Sequence, residues 1–186
     1  MENMFASEIH FVLNVISPPT TIIEQVSAIK QDFFNRYGDY ESYHSTAHIT
    51  INSYPIDSNR IIPFHNKLKE FIHNYPTLDI KLNGFGFWDS SKTIFLKVKP
   101  NHILDNFKEE LNIWRRLNHL KSNYEYSKVS HLTIAKSLNS SIYQDAKSYY
   151  KDKNFTGEFT STHILSLLKT THTNPYSPHS SFLFKE

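Results

Sequence analysis

The spacing of hydrophobic positions changes several times along the chain, and each change marks an element. Ile9–Ile16 has the length and β-branched content of a strand, and Ser17-Pro18-Pro19 ends it. Over residues 20–36, Ile22, Val26, Ile29 and Phe33 recur at three- and four-residue intervals, which predicts an amphipathic helix. Gly38 and the polar residues up to Thr46 read as a loop. Residues 47–53 then alternate, with Ile49 and Ile51 on one face of a strand and His48, Thr50 and Asn52 on the other. Asp57 or Ser58 can cap a second helix, where Ile61, Phe64, Leu68, Phe71 and Ile72 return to helical spacing. Leu78–Trp88 and Thr93–Val98 predict a hairpin around Asp89-Ser90-Ser91.

The second half repeats the theme. Asn101 can cap a helix carrying Ile103, Phe107, Leu111 and Trp114. Residues 129–135 read as a strand, 142–150 as a short helix, and 155–168 and 181–184 as closing strands. No low-complexity tract or shift in composition divides the chain. Residues 1–186 are therefore expected to form one α+β domain with mainly antiparallel pairing.

Composition adds mainly exclusions. Aromatic residues make up 15% of the chain, so rings must fill a core or line a groove. The net charge of +2 is too weak for a general nucleic-acid coat, though it leaves room for a local basic pocket. With no cysteine, a disulfide framework, a thiolate nucleophile and a cysteine-ligated zinc site are excluded. Glu2 and Glu8 precede the first apolar segment and His10 and Asn14 interrupt it, which is unlike a signal peptide. No stretch approaches the roughly 20 apolar residues of a membrane span, so a cytoplasmic location without membrane contact is expected.

The chemistry concentrates in two tetrapeptides, His48-Ile49-Thr50-Ile51 and His131-Leu132-Thr133-Ile134. A single His-x-Thr is unremarkable among 11 histidines, and a third one, His44-Ser45-Thr46, is read as noise. Two copies with aliphatic residues at both flanking positions, one in each half of the chain, are not expected by chance. In a strand, His and Thr two residues apart share a face while the aliphatic residues enter the core. Two such strands side by side would present two imidazoles and two hydroxyls to one groove. An imidazole titrates near pH 6.5, so one ring can act as base and the other as acid near neutrality. Threonine hydroxyls can donate to non-bridging phosphate oxygens, whose charge grows in the transition state.

The paired motifs and the two-halved layout resemble the two-histidine (2H) phosphoesterase superfamily. Within it the chain is similar to the family of 2′-5′ RNA ligases and RNA 2′,3′-cyclic phosphodiesterases. That resemblance implies a bilobal fold: two antiparallel sheets related by a pseudo-twofold axis, helices on the outer faces, and an active groove between the lobes. It also implies cofactor-free, metal-independent hydrolysis of a cyclic phosphate, on an RNA end or a small cyclic nucleotide. His48 and His131 would be the acid and base, in that order, with Thr50 and Thr133 holding the phosphate. Where relatives often carry arginine after the second motif, this chain has Lys136, which keeps the charge without bidentate recognition.

Other residues are weighed against plainer roles. Tyr126 and Lys136 are candidate substrate contacts because they flank the second motif, and Lys128 is a further cation there. Phe85, Phe87 and Trp88 could stack a base but at strand spacing more often pack a core. Tyr176 is a weaker candidate, and His163, His172 and His179 show no metal-ligand pattern, so no metal is expected. Two alternatives keep the same four residues: a 2′,5′-oligonucleotide phosphodiesterase, or a 2′-5′ RNA ligase. A non-catalytic RNA-end binding module is the rival from another class. A monomer is expected.

Overall fold

A computed structural model describes residues 8–120, 128–171 and 173–185. The strands are β1 (Ile9–Ile16), β2 (Ile49–Asp57), β3 (Leu78–Trp88), β4 (Thr93–Val98), β5 (His131–Ala135), β6 (Thr156–Ser161), β7 (His163–Lys169) and β8 (Ser177–Leu183). The helices are α1 (Thr20–Tyr37), α2 (Ile61–Ile72), α3 (His102–Leu117) and α4 (Ser140–Tyr150). Several expectations shift in the structure: β5 starts at His131 rather than 129, α4 starts at Ser140 rather than 142, and neither Asp57 nor Ser58 caps α2, because a 3-10 turn over Ser58–Arg60 intervenes. The strand expected from residue 47 begins at Ile49 and runs on to Asp57. The single strand expected over 155–168 is two strands, β6 and β7, and the last strand starts at Ser177 rather than 181.

All strand pairs are antiparallel, in the order β6-β3-β4-β5-β2-β1-β7-β8. The sheet curls into a half-barrel. Where the resemblance implies two sheets, the structure has two four-stranded halves of one sheet. They join at the neighbouring edges β5 and β2, and the single residue pair there is Ile49–Leu132. Pairing at that point leaves neither half with a fully open inner edge.

The helices cover one face of the sheet. In α1 the buried positions are Ile22, Val26, Lys30 and Phe33; the helix ends at Gly38, whose positive φ of 80° suits glycine. α3 begins at Asn101, whose side chain accepts from the backbone N–H groups of Ile103 and Leu104, and buries Leu104, Phe107, Lys108, Leu111 and Arg115. α1 and α4 meet through Phe33 and Tyr150, stacked at 6.2 Å. α2 and α3 meet where Trp114 packs on Phe64 and Phe71. Ile49, Ile51, Leu132 and Ile134 belong to this core and are fully buried. Each contributes roughly 1.5–3 kcal/mol relative to exposure. Strand alternation therefore sends the intervening His and Thr side chains to the opposite, concave face.

One core histidine lies away from that face. His65 of α2 packs edge-on against Phe182, with Nε2 3.4 Å from Ser166 Oγ and Nδ1 3.3 Å from Ser180 Oγ. Burial, aided by the neighbouring His179, lowers its pKa from 6.5 to about 4. The folded chain thus binds this proton more weakly than the unfolded chain does. The resulting stability is complete above about pH 6.5 and is lost as pH falls towards 4. We expect Tm to fall across that window, and His65→Leu to flatten the decline. An unchanged slope in thermal melts of that variant would contradict this role.

Candidate active site

The Ile49–Leu132 pair sets the geometry of the concave face. Extending its antiparallel register by one residue each way places Thr50 across from His131, and His48 across from Thr133. His131 is the first residue of β5, and His48 immediately precedes β2. Both motifs carry the same irregularity. Ile51 lies between the pairs Asn14–Asn52 and Val15–Thr50 without a partner on β1, and Ile134 lies between Ile94–Ala135 and Phe95–Thr133 without one on β4. Each is a β-bulge at the fourth motif residue, which buries two consecutive side chains and increases the local twist.

The two imidazoles are held in the same way. His48 Nδ1 donates to the carbonyl of Thr46 at 2.8 Å, and His131 Nδ1 donates to the carbonyl of Val129 at 2.9 Å. A carbonyl only accepts, so each Nδ1 carries a hydrogen and each Nε2 is left for chemistry. Both rings have lowered pKa values, chiefly through burial, which the backbone hydrogen bonds partly offset. Positive charge adds to the depression: Lys30 and Lys136 act on His48, and Lys108 and His48 act on His131. Charge on His48 therefore disfavours charge on His131. Thr50 is exposed and Thr133 half-buried, on the same face as the histidines.

The remaining candidates distribute unevenly. Lys136 is ion-paired with Glu41 at 2.8 Å, so it joins the second motif to the loop before the first. Tyr126 lies outside the described residues, as does His172. Lys128 is exposed just before β5. Phe85 and Phe87 join the core, whereas Trp88 meets the His131 ring edge-on at 4.5 Å. Tyr176 lies under the ammonium of Lys169, which also sits over Phe11. His179 packs against His65. His163 begins β7, with its Nδ1 3.3 Å from Thr162 Oγ1.

Sequence reasoning missed four residues here. Phe95 packs edge-on against His131 at 5.3 Å and against Trp88 at 4.3 Å. Lys97 stands opposite His131 in the β4–β5 register. Both follow from strand pairing over more than 30 residues of separation, which local pattern does not encode. Lys30 and Lys108 are buried behind the histidines, and their signal is a lysine among the buried positions of a helix: Ile22, Val26 and Phe33 in α1, and Leu104, Phe107, Leu111 and Arg115 in α3.

A curled antiparallel sheet with paired histidine-aliphatic-threonine-aliphatic strands at its centre is the architecture of a 2H phosphoesterase. A profile of the 2′-5′ RNA ligase superfamily matches residues 18–182, and the chain belongs to that family. GK0864 of Geobacillus kaustophilus (strain HTA426), provisionally named a phosphoesterase, is 32% identical over 143 residues, covering 74% of this chain and 75% of the relative. A similarly named protein of Geobacillus thermodenitrificans (strain NG80-2) is 30% identical over 127 residues, covering 65% and 70%. The fold is similar to that of Escherichia coli LigT in complex with 3′-AMP, with a TM-score of 0.72 at 15% identity, covering 96% of this chain and all of that one. TT0787 of Thermus thermophilus matches with a TM-score of 0.66 at 10% identity, covering 93% and 97%.

Gly86 makes the His131 wall possible. A Cβ there would lie 2.3 Å from Phe95 Cε2 and 2.4 Å from Cζ, so the Phe95 ring occupies space only glycine leaves. We expect Gly86→Ala to push Phe95 against Trp88 and His131 and to cost about 1–3 kcal/mol through overpacking. In imidazole NMR spectra, His131 should shift while His48 stays in place. Equal shifts of both rings, or of neither, would contradict this contact.

Proposed function

We propose that the protein is a metal-independent phosphodiesterase that hydrolyses a 2′,3′-cyclic phosphate on an RNA end or small nucleotide. The observation that carries this reading is the matched pair of histidines, each with Nδ1 committed to a carbonyl and Nε2 without a hydrogen bond among the described residues. In-line displacement needs a proton removed from the attacking water and another delivered to the leaving oxygen on the far side of phosphorus. Neutral His131 accepts the water proton at Nε2 as the new O–P bond forms. His48, protonated at Nε2, gives its proton to the ribose 3′-oxygen as the P–O3′ bond breaks, leaving a 2′-phosphate.

Thr50 and Thr133 donate to the non-bridging oxygens in this mechanism, where negative charge accumulates. Lys136, tied to Glu41, contributes mainly through its field, while Tyr126 is retained as a proposed contact from its place near the second motif. LigT in complex with 3′-AMP and with phosphate supports a nucleotide ligand for this fold. The chain is proposed to work as a monomer in the cytoplasm.

The test is a panel of cyclic mononucleotides, cyclic-ended RNAs and 2′,5′-linked dimers incubated in EDTA. We expect turnover of the cyclic phosphates, and a loss of at least about 10²–10⁴ on His48→Ala or His131→Ala. Thr50→Val or Thr133→Val should cost less, about 10–10³. Both histidines have lowered pKa values, so kcat/KM should trace a bell centred on the acid side of pH 6.5. Cleavage or joining of 2′,5′ linkages alone would favour the ligase-type alternative. Binding without turnover would favour the RNA-end binding module.

A further inference from the structure

Two buried lysines occupy corresponding places behind the two motifs. Lys30 in α1 is 3% exposed, and Lys108 in α3 is 1% exposed. Lys30 Nζ donates to the carbonyls of Ser42 (2.8 Å) and Ser45 (2.5 Å) and approaches Ser45 Oγ at 3.0 Å. The loop it grips leads into Thr46, whose carbonyl holds His48. Ser42 Oγ also donates to the carbonyl of Ile134, the bulge residue of the other motif, at 3.2 Å. On the other side Lys108 Nζ donates to Ser130 Oγ at 2.9 Å. Ser130 sits between Val129, whose carbonyl holds His131, and His131 itself.

Burying a cation costs several kcal/mol unless its surroundings compensate, and none of the three oxygens around Lys30 belongs to a carboxylate. Methionine or leucine would suit either helical stripe better on packing grounds alone. We propose that Lys30 and Lys108 are paired positioning residues, each fixing the segment that orients one histidine and holding a positive charge behind that ring. This rests on the reading of His48 and His131 as acid and base.

The electrostatics agree. Burial lowers both lysines to about 8, at Lys108 against the opposing pull of Asp105, so they remain largely charged at neutral pH. Each charge disfavours protonation of its own histidine. His48 also faces Lys136, whose charge Glu41 partly neutralises. His131 faces His48, has Lys97 opposite it in register, and otherwise meets the rings of Trp88 and Phe95. The field at the two rings is positive on balance. It suits an anionic phosphodiester and keeps a neutral base available.

NMR titration of the imidazoles in Lys30→Met and Lys108→Met reads this without relying on turnover. Lys30→Met should raise the pKa of His48 by about half a unit or more, with a smaller change at His131. Lys108→Met should do the reverse. If either variant fails to fold, Ser45→Ala and Ser130→Ala loosen the same tethers and should perturb the Nδ1–H signal of His48 and His131 respectively. Unchanged histidine titrations, or the same change at both rings in each variant, would overturn the proposal. Loss of the cyclic phosphodiesterase reading would show separately, as absent turnover in the parent protein with these shifts intact.

Discussion

The two halves of the sheet meet through one residue pair, Ile49 and Leu132, and the placement of every candidate catalytic group depends on its register. A slip of one residue would turn His48, Thr50, His131 and Thr133 into the core and bring Ile49 and Leu132 to the surface. Burial of these aliphatic neighbours, roughly 1.5–3 kcal/mol each, opposes such a slip. The site is thus a by-product of packing: what the core gains by burying the aliphatic positions also aims the polar ones at one groove.

Around that pair the same local devices occur twice. A bulge follows each threonine, a carbonyl two residues back holds each Nδ1, and a buried lysine grips the segment before each histidine. The differences lie in the walls. His131 is flanked by Trp88 and Phe95, seated on Gly86, whereas His48 is approached by the Glu41–Lys136 ion pair. An aromatic wall at one ring and a charged one at the other supply an asymmetry that the paired motifs lack. Acid and base roles need such a difference.

The strands and helices were legible because their apolar positions follow periods of two or about 3.6, and the paired motifs were legible as strands for the same reason. The break between β6 and β7 was not. Only Thr162 separates them, without glycine or proline, yet β6 pairs with β3 in one half and β7 with β1 in the other. Lys136 shows a second limit: its ion pair with Glu41, 95 residues away in sequence, could not be read from its place beside the motif. Lys30 and Lys108 were hidden differently. A lysine on a helical stripe ordinarily marks the edge of the buried face, and only the fold shows that these two point inward.

The central claim is that His48 and His131 act on opposite sides of one phosphorus. A crystal structure with a bound nucleoside vanadate, which mimics the in-line transition state, tests it most directly. The account predicts Nε2 of His48 and of His131 within about 3 Å of the two opposed apical oxygens. The hydroxyls of Thr50 and Thr133 should lie on equatorial oxygens. A vanadate that touches only one histidine, or that binds with both rings on the same oxygen, would contradict it.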